Sequence, residues 1–164
     1  MPKPKPKRNR KYTPKPVTQH GGLIAVARVH MRAEEAAPLR DGQLTDIGVA
    51  YWLSLENLRS GTANEESWCC IVNALNIGLV LCEQCVGAEH EQAFVQALDG
   101  ALRAKVRSAK SGTFRLDGEA MRDIELAFHL HDAQLRLATR AEVTVAMQTV
   151  HARIDSGIVY REAA

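Results

Sequence analysis

Acidic residues are missing altogether from the first twenty positions of this chain. Residues 1–20 hold Lys3, Lys5, Lys7, Arg8, Arg10, Lys11 and Lys15, with Pro2, Pro4, Pro6, Pro14 and Pro16 between them and Tyr12 as the single aromatic ring. A stretch of this kind repels itself and has no apolar surface to bury. It favours extended polyproline II over a fold of its own. Aromatic residues are scarce elsewhere too, at 5% of the chain, and runs of β-branched residues are few, which argues against a sheet. No stretch of 18 or more residues is free of polar groups, so no transmembrane helix is expected. No apolar run of the signal-peptide kind follows the basic start, and the cytoplasm is the expected compartment. In that setting four cysteines read as free thiols. No Ser-His-Asp order, phosphate loop, catalytic carboxylate pair or dinucleotide fingerprint stands out, so an enzyme is not expected.

What is present is uneven charge on a helix-forming composition. The net charge of +2 hides a division: the first twenty residues carry seven of the 21 basic residues and stand at +7. The remainder sets 14 basic against 19 acidic residues and stands at −5. A mildly acidic body would not be drawn to nucleic acid, but the arm would be. Ala, Leu, Glu, Arg and Gln dominate the body and favour helix. Residues 23–31 suit a strand or a first helix by pattern. The following Ala33-Glu34-Glu35-Ala36-Ala37 favours helix, which Pro38 would end.

Further along, Thr45 is the expected N-cap of a helix to about Arg59, striped by Ile47, Tyr51, Ser54, Leu55 and Leu58 and closed by Gly61. Asn64 opens a helix that is apolar nearly all round, which marks it as central, with Gly87 as its expected end. A fourth helix is predicted from about Glu89 to Lys110, with Phe94, Ala97, Leu98, Ala101, Leu102, Val106 and Ala109 inward. The cations Arg103, Lys105, Arg107 and Lys110 in its last turns suit the helix dipole. Asp117 caps a fifth helix striped by Met121, Ile124, Ala127, Phe128, His131 and Leu135. Thr139 with Glu142 reads as a capping box for a last helix, striped by Val143, Met147, Val150 and Ile154 and ended by Gly157. Ile158 would then make the apolar contact of that C-cap. Short links between such helices predict an all-α fold, an antiparallel up-down bundle of four to five main helices. The expected organisation is a disordered basic arm over 1–20 and a single helical domain over 21–164.

Few side chains are spaced for chemistry. Cys82 and Cys85 have metal-pair spacing, and Cys69, Cys70 and His90 invite a larger set. On one straight helix, however, Cys70 and Cys82 stand about 18 Å apart, too far to share an ion. No metal or other cofactor is expected. His129 and His131 point in different directions on a helix, and His131 falls on the apolar stripe as a core histidine. Asn73 and Asn76 interrupt the central helix and are expected to hydrogen-bond between helices, with partner contact as the other reading. Tyr51-Trp52 directs two rings apart, leaving Trp52 as a candidate partner-binding residue on a protein-docking or homo-oligomeric face. The candidate nucleic-acid contacts are Lys3, Lys5, Lys7, Arg8, Arg10, Lys11 and Lys15 on phosphates of DNA or RNA, with Tyr12 stacking on an unpaired base.

Arg10-Lys11-Tyr12-Thr13-Pro14-Lys15-Pro16-Val17 and Leu130-His131-Asp132-Ala133-Gln134-Leu135 resemble stretches of small helical proteins encoded by phages and prophages of proteobacteria. The Lys-Pro leader over residues 2–7 is longer here than in that group. The resemblance implies a bacterial cytoplasm and a phage-related role, regulation of transcription being a common one, and it carries no active-site residues.

Overall fold

The structure, a computed structural model, describes residues 18–157 of the chain, and their side chains from residue 24 onward. Among the described residues it is all-helical, with six α-helices and one 3-10 turn: α1 (Thr18–Glu35), α2 (Asp41–Ser60), α3 (Glu65–Glu83), the turn Ala88–His90, α4 (Glu91–Ser111), α5 (Gly118–Leu137) and α6 (Arg140–Asp155). The chain divides into two units, residues 1–33 and 34–164.

Among the described residues, the first unit carries most of α1. The ambiguous stretch 23–31 is helical, and Gly21-Gly22 lies within the same helix. Ile24, Val26, Val29 and Met31 are all exposed on it.

In the second unit α3 is central. It packs against α2, α4, α5 and α6, and its all-round apolar composition is what allows this. By length and composition α3 is also the one helix among the described residues long and apolar enough to cross a membrane. The main core joins Tyr51, Leu55 and Leu58 of α2 to Ile71 and Leu75 of α3, Phe94 and Leu98 of α4, and Ile124 and Phe128 of α5. A second cluster joins Val80 and Leu81 of α3 to Leu135 of α5 and Val143, Ala146 and Val150 of α6. The segment before α2 is tied to the α5–α6 junction: Arg140 N–H donates to Ala37 O at 3.0 Å, and Glu34 pairs with Arg140.

Local capping chemistry sets most boundaries. Asn64 Oδ1 accepts from Ser67 N–H at 2.9 Å, and Asp117 Oδ1 accepts from Ala120 N–H at 2.8 Å. Thr139 and Glu142 form the expected box. Gly61 ends α2 in the left-handed region.

Four expectations need correcting. Thr45 is not a cap: α2 begins a turn earlier, Gln43 Oε1 accepts the Arg40 N–H at 3.1 Å, and the Thr45 hydroxyl bonds back to Asp41 O. Nor does Gly87 end α3. Cys85 takes the left-handed conformation (φ 66°), with Cys85 N–H on Cys82 O and Val86 N–H on Leu81 O, a Schellman closure without glycine. On α4 the inward stripe leaves Val106 and Ala109 exposed and buries Ala104, because residues three or four apart drift round the helix over five turns. In the same way α6 buries Val143, Ala146 and Val150 and leaves Met147 and Ile154 exposed. Ile158 and its proposed contact lie outside the described residues.

Candidate functional site

A buried polar network gathers on one stretch of α5, residues 131–134, with partners on α2 and α3. Tyr51, 2% exposed, donates its hydroxyl to Asp132 Oδ1, and the Trp52 indole N–H donates to Asp132 Oδ2 at 3.1 Å. One carboxylate therefore satisfies both rings of the Tyr-Trp pair. Trp52 packs edge-on against Phe128 and lies 4.9 Å from the His129 ring, so it is half-buried at the α2–α5 seam. Burial first, and then the Asp132 hydrogen bond, push the Tyr51 hydroxyl far above its ordinary range, and it stays a donor at every physiological pH.

Two residues further on, the buried Gln134 fastens α5 to the end of α3. Its Nε2 donates to Gly78 O at 3.1 Å and Val86 O at 2.8 Å and lies 3.1 Å from Cys82 Sγ. Its Oε1 lies 3.3 Å from His131 Nδ1. Burial lowers the His131 pKa to about 4, against smaller opposing pulls from Gln134 and Asp132, so the ring is neutral near pH 7. Burial likewise raises the Cys82 thiol, which donates to Gly87 O at 3.1 Å. A protonated, hydrogen-bonded thiol is a poor nucleophile and a poor metal ligand. Cys85 is exposed, Cys69 and Cys70 are free, and His90 pairs with Glu89 at 3.5 Å. No three His, Cys, Asp or Glu side chains among the described residues converge as a metal site would need.

Asn73 and Asn76 do not bridge helices. Asn76 Nδ2 donates to Val72 O on its own helix at 2.8 Å, and both amides line a cleft of about 320 Å³ bordered by α3, α4 and α6. The cations of α4 do more than face the helix dipole. Lys105 pairs with Glu65 at 2.5 Å and lies over the Trp68 ring at 4.9 Å. Arg107 and Arg103 meet Asp117 at 3.0 and 3.6 Å. These pairs are exposed and contribute little to stability, but they leave few unpaired cations on this face of the body.

The arm residues Lys3, Lys5, Lys7, Arg8, Arg10, Lys11, Tyr12 and Lys15 lie outside the described residues. Tyr51 and His131 lie on the buried stripes expected of them, but the Tyr51 and Trp52 rings do not point apart: both converge on Asp132, and Trp52 is half-buried against α5. Gln134 was missed. Its signal was there: an amide three residues after His131 and next to Leu135, on the buried stripe. No known protein family, curated protein or solved structure matches the chain.

Proposed function

We propose that this chain is a non-enzymatic regulatory protein whose helical body docks on a protein partner while its basic arm contacts DNA or RNA phosphates. The observation that carries this reading is the charge division, +7 over residues 1–20 against −5 over the rest. A body of that sign is repelled by a phosphate backbone, so attraction to nucleic acid falls to the arm. The arm's guanidinium and ammonium groups read phosphate and not sequence, so specificity belongs to what the body recognises. The polar network in the body supports a scaffolding role. Its Tyr51, His131 and Cys82 are held neutral and hydrogen-bond to Asp132, Gln134 and Gly87 in turn, three separate partners, instead of facing one reacting centre. The up-down bundle, the bacterial cytoplasm and a phage-related role in gene regulation belong to the same proposal.

Gel-shift assays of the full chain and of a chain lacking residues 1–17 test it. The full chain is expected to bind at low salt and the shortened one to lose binding while keeping its helical circular dichroism. Undiminished binding by the shortened chain would refute the arm's role.

A second reading, a protein-interaction module with no nucleic-acid role, draws on Val49 and Leu53, both more than half exposed on the helix that also carries Trp52. Partner capture that is insensitive to nuclease and to removal of the arm would favour it.

A further inference from the structure

The neutral imidazole of His131 has one nitrogen that the protein leaves unused, and its tautomer follows from the bonds around it. Gly78 O and Val86 O are acceptors only, so the Gln134 atom beside them must be the amide nitrogen. Gln134 Oε1 then faces His131 Nδ1, and an amide oxygen only accepts, so Nδ1 carries the ring's proton. Nε2 is left with a lone pair, and no described residue donates to it. The side chain is 1% exposed and is among those that line a cleft on the α2–α3 side of the body.

That cleft runs between α2 and α3 and has a volume of about 440 Å³. Ile47 and Ala50 of α2 line one side, Ala74 and Ile77 of α3 the other, and the buried Tyr51 and His131 are also in its lining. The volume far exceeds one water and falls within the range of small-molecule pockets, which combine apolar walls with few, fixed polar groups. The Tyr51 hydroxyl is committed to Asp132, so of the two buried polar groups in the lining His131 is the one with a free site, an acceptor, while the Asn73 amide in the lining is exposed. Glu66 at its edge adds negative charge, which disfavours an anion.

We infer that the α2–α3 cleft is a binding site for a small, apolar, uncharged or cationic molecule that donates one O–H or N–H to His131 Nε2. An acceptor this deep is costly to leave unpaired, so donor-bearing ligands should be favoured over apolar ones of the same shape.

Phenol and toluene test this, being nearly the same size and differing by the donor. With the full chain labelled with ¹⁵N in its histidines, long-range ¹H–¹⁵N spectra should show His131 as the Nδ1–H tautomer. Phenol should shift its Nε2 resonance saturably and bind about tenfold tighter than toluene. Ala50→Trp or Asn73→Trp, exposed positions on opposite walls, should each fill the cleft and abolish the shift without lowering the melting temperature. The inference is overturned by any of four results: the Nε2–H tautomer, equal affinity for phenol and toluene, a phenol shift that survives both Trp variants, or an Nε2 resonance that moves with zinc alone.

Discussion

Phe94 of α4 rests its ring against the bare Cα of Gly78 in α3, so closely that a Cβ at Gly78 would overlap the ring. Phe94 is fully buried and Gly78 lies inside a helix, so the glycine is there for the approach of α4 and not for a turn. Gly100 does the same for α4 and α5: a Cβ there would stand 2.6 Å from Ala120 Cβ and 3.0 Å from its Cα.

Gly78→Ala and Gly100→Ala are expected to destabilise the body. Alanine's better helix propensity returns up to about 1 kcal/mol, while overpacking a closed core costs about 1–3 kcal/mol. The Gly100 variant meets backbone and should lose more. Urea denaturation midpoints check both; a variant at least as stable as the parent would show that these helices can separate at no cost.

Cys85→Gly is expected to act in the opposite direction. The left-handed conformation of Cys85 costs a side-chain-bearing residue about 1–2 kcal/mol, and its side chain is exposed. Glycine removes that cost but gives the unfolded chain more entropy to lose on folding, for a net gain of about 0.5–1 kcal/mol. Thermal melts of the two proteins under reducing conditions provide the comparison. A lower melting point for Cys85→Gly would mean that the thiol makes a stabilising contact.

Asp132 serves two donors, and removing it should strand the buried one. Asp132→Ala is expected to cost about 2–4 kcal/mol, because the Tyr51 hydroxyl loses its acceptor inside the core. Tyr51→Phe alone should cost about 1 kcal/mol, yet added to Asp132→Ala it should restore stability, since the orphaned hydroxyl is then gone. Additive losses in that double-mutant cycle would deny the pairing. Trp52 fluorescence should shift in both Asp132 variants.

Capping was legible in the sequence because its chemistry is local. Asn64, Asp117 and the Thr139–Glu142 box each reach three residues along the chain, and the structure has them as read. The two boundaries that moved are those where the closing group carries no such signature. Arg40 has no side chain suited to the start of α2, and Cys85 stands where glycine is the common choice. The drift of the α4 stripe from Leu102 towards Ala104 depends on which neighbour each turn meets, and periodicity within one helix does not contain that. Gln134 was hidden for a related reason. Its partners Gly78 and Val86 lie 56 and 48 positions away, and only the fold brings their carbonyls together.

His131 should make stability depend on pH. Its pKa is 6.5 when unperturbed and about 4 in the fold, so between those values the unfolded chain binds the extra proton. Stability from this residue is therefore complete above about pH 6.5 and is lost as pH falls through 4, by about 3 kcal/mol in all. Tyr51 and Phe94 face the ring from α2 and α4, and Asp132 and Gln134 lie beside it on α5. None of these removes the cost of a buried imidazolium. Denaturation midpoints from pH 7.5 to 4 should fall more steeply for the parent than for His131→Gln, and parallel curves would place the proton elsewhere.

The salt dependence of nucleic-acid binding tests the division between arm and body most directly. Fluorescence anisotropy with a labelled duplex and a labelled single strand, from 50 to 200 mM salt, gives the slope of log affinity against log salt. With seven cations in the arm the slope is expected to approach about −6 on duplex DNA, and a chain lacking residues 1–17 should show no measurable affinity at any salt. A slope near zero, or one that the shortened chain reproduces, would contradict the account.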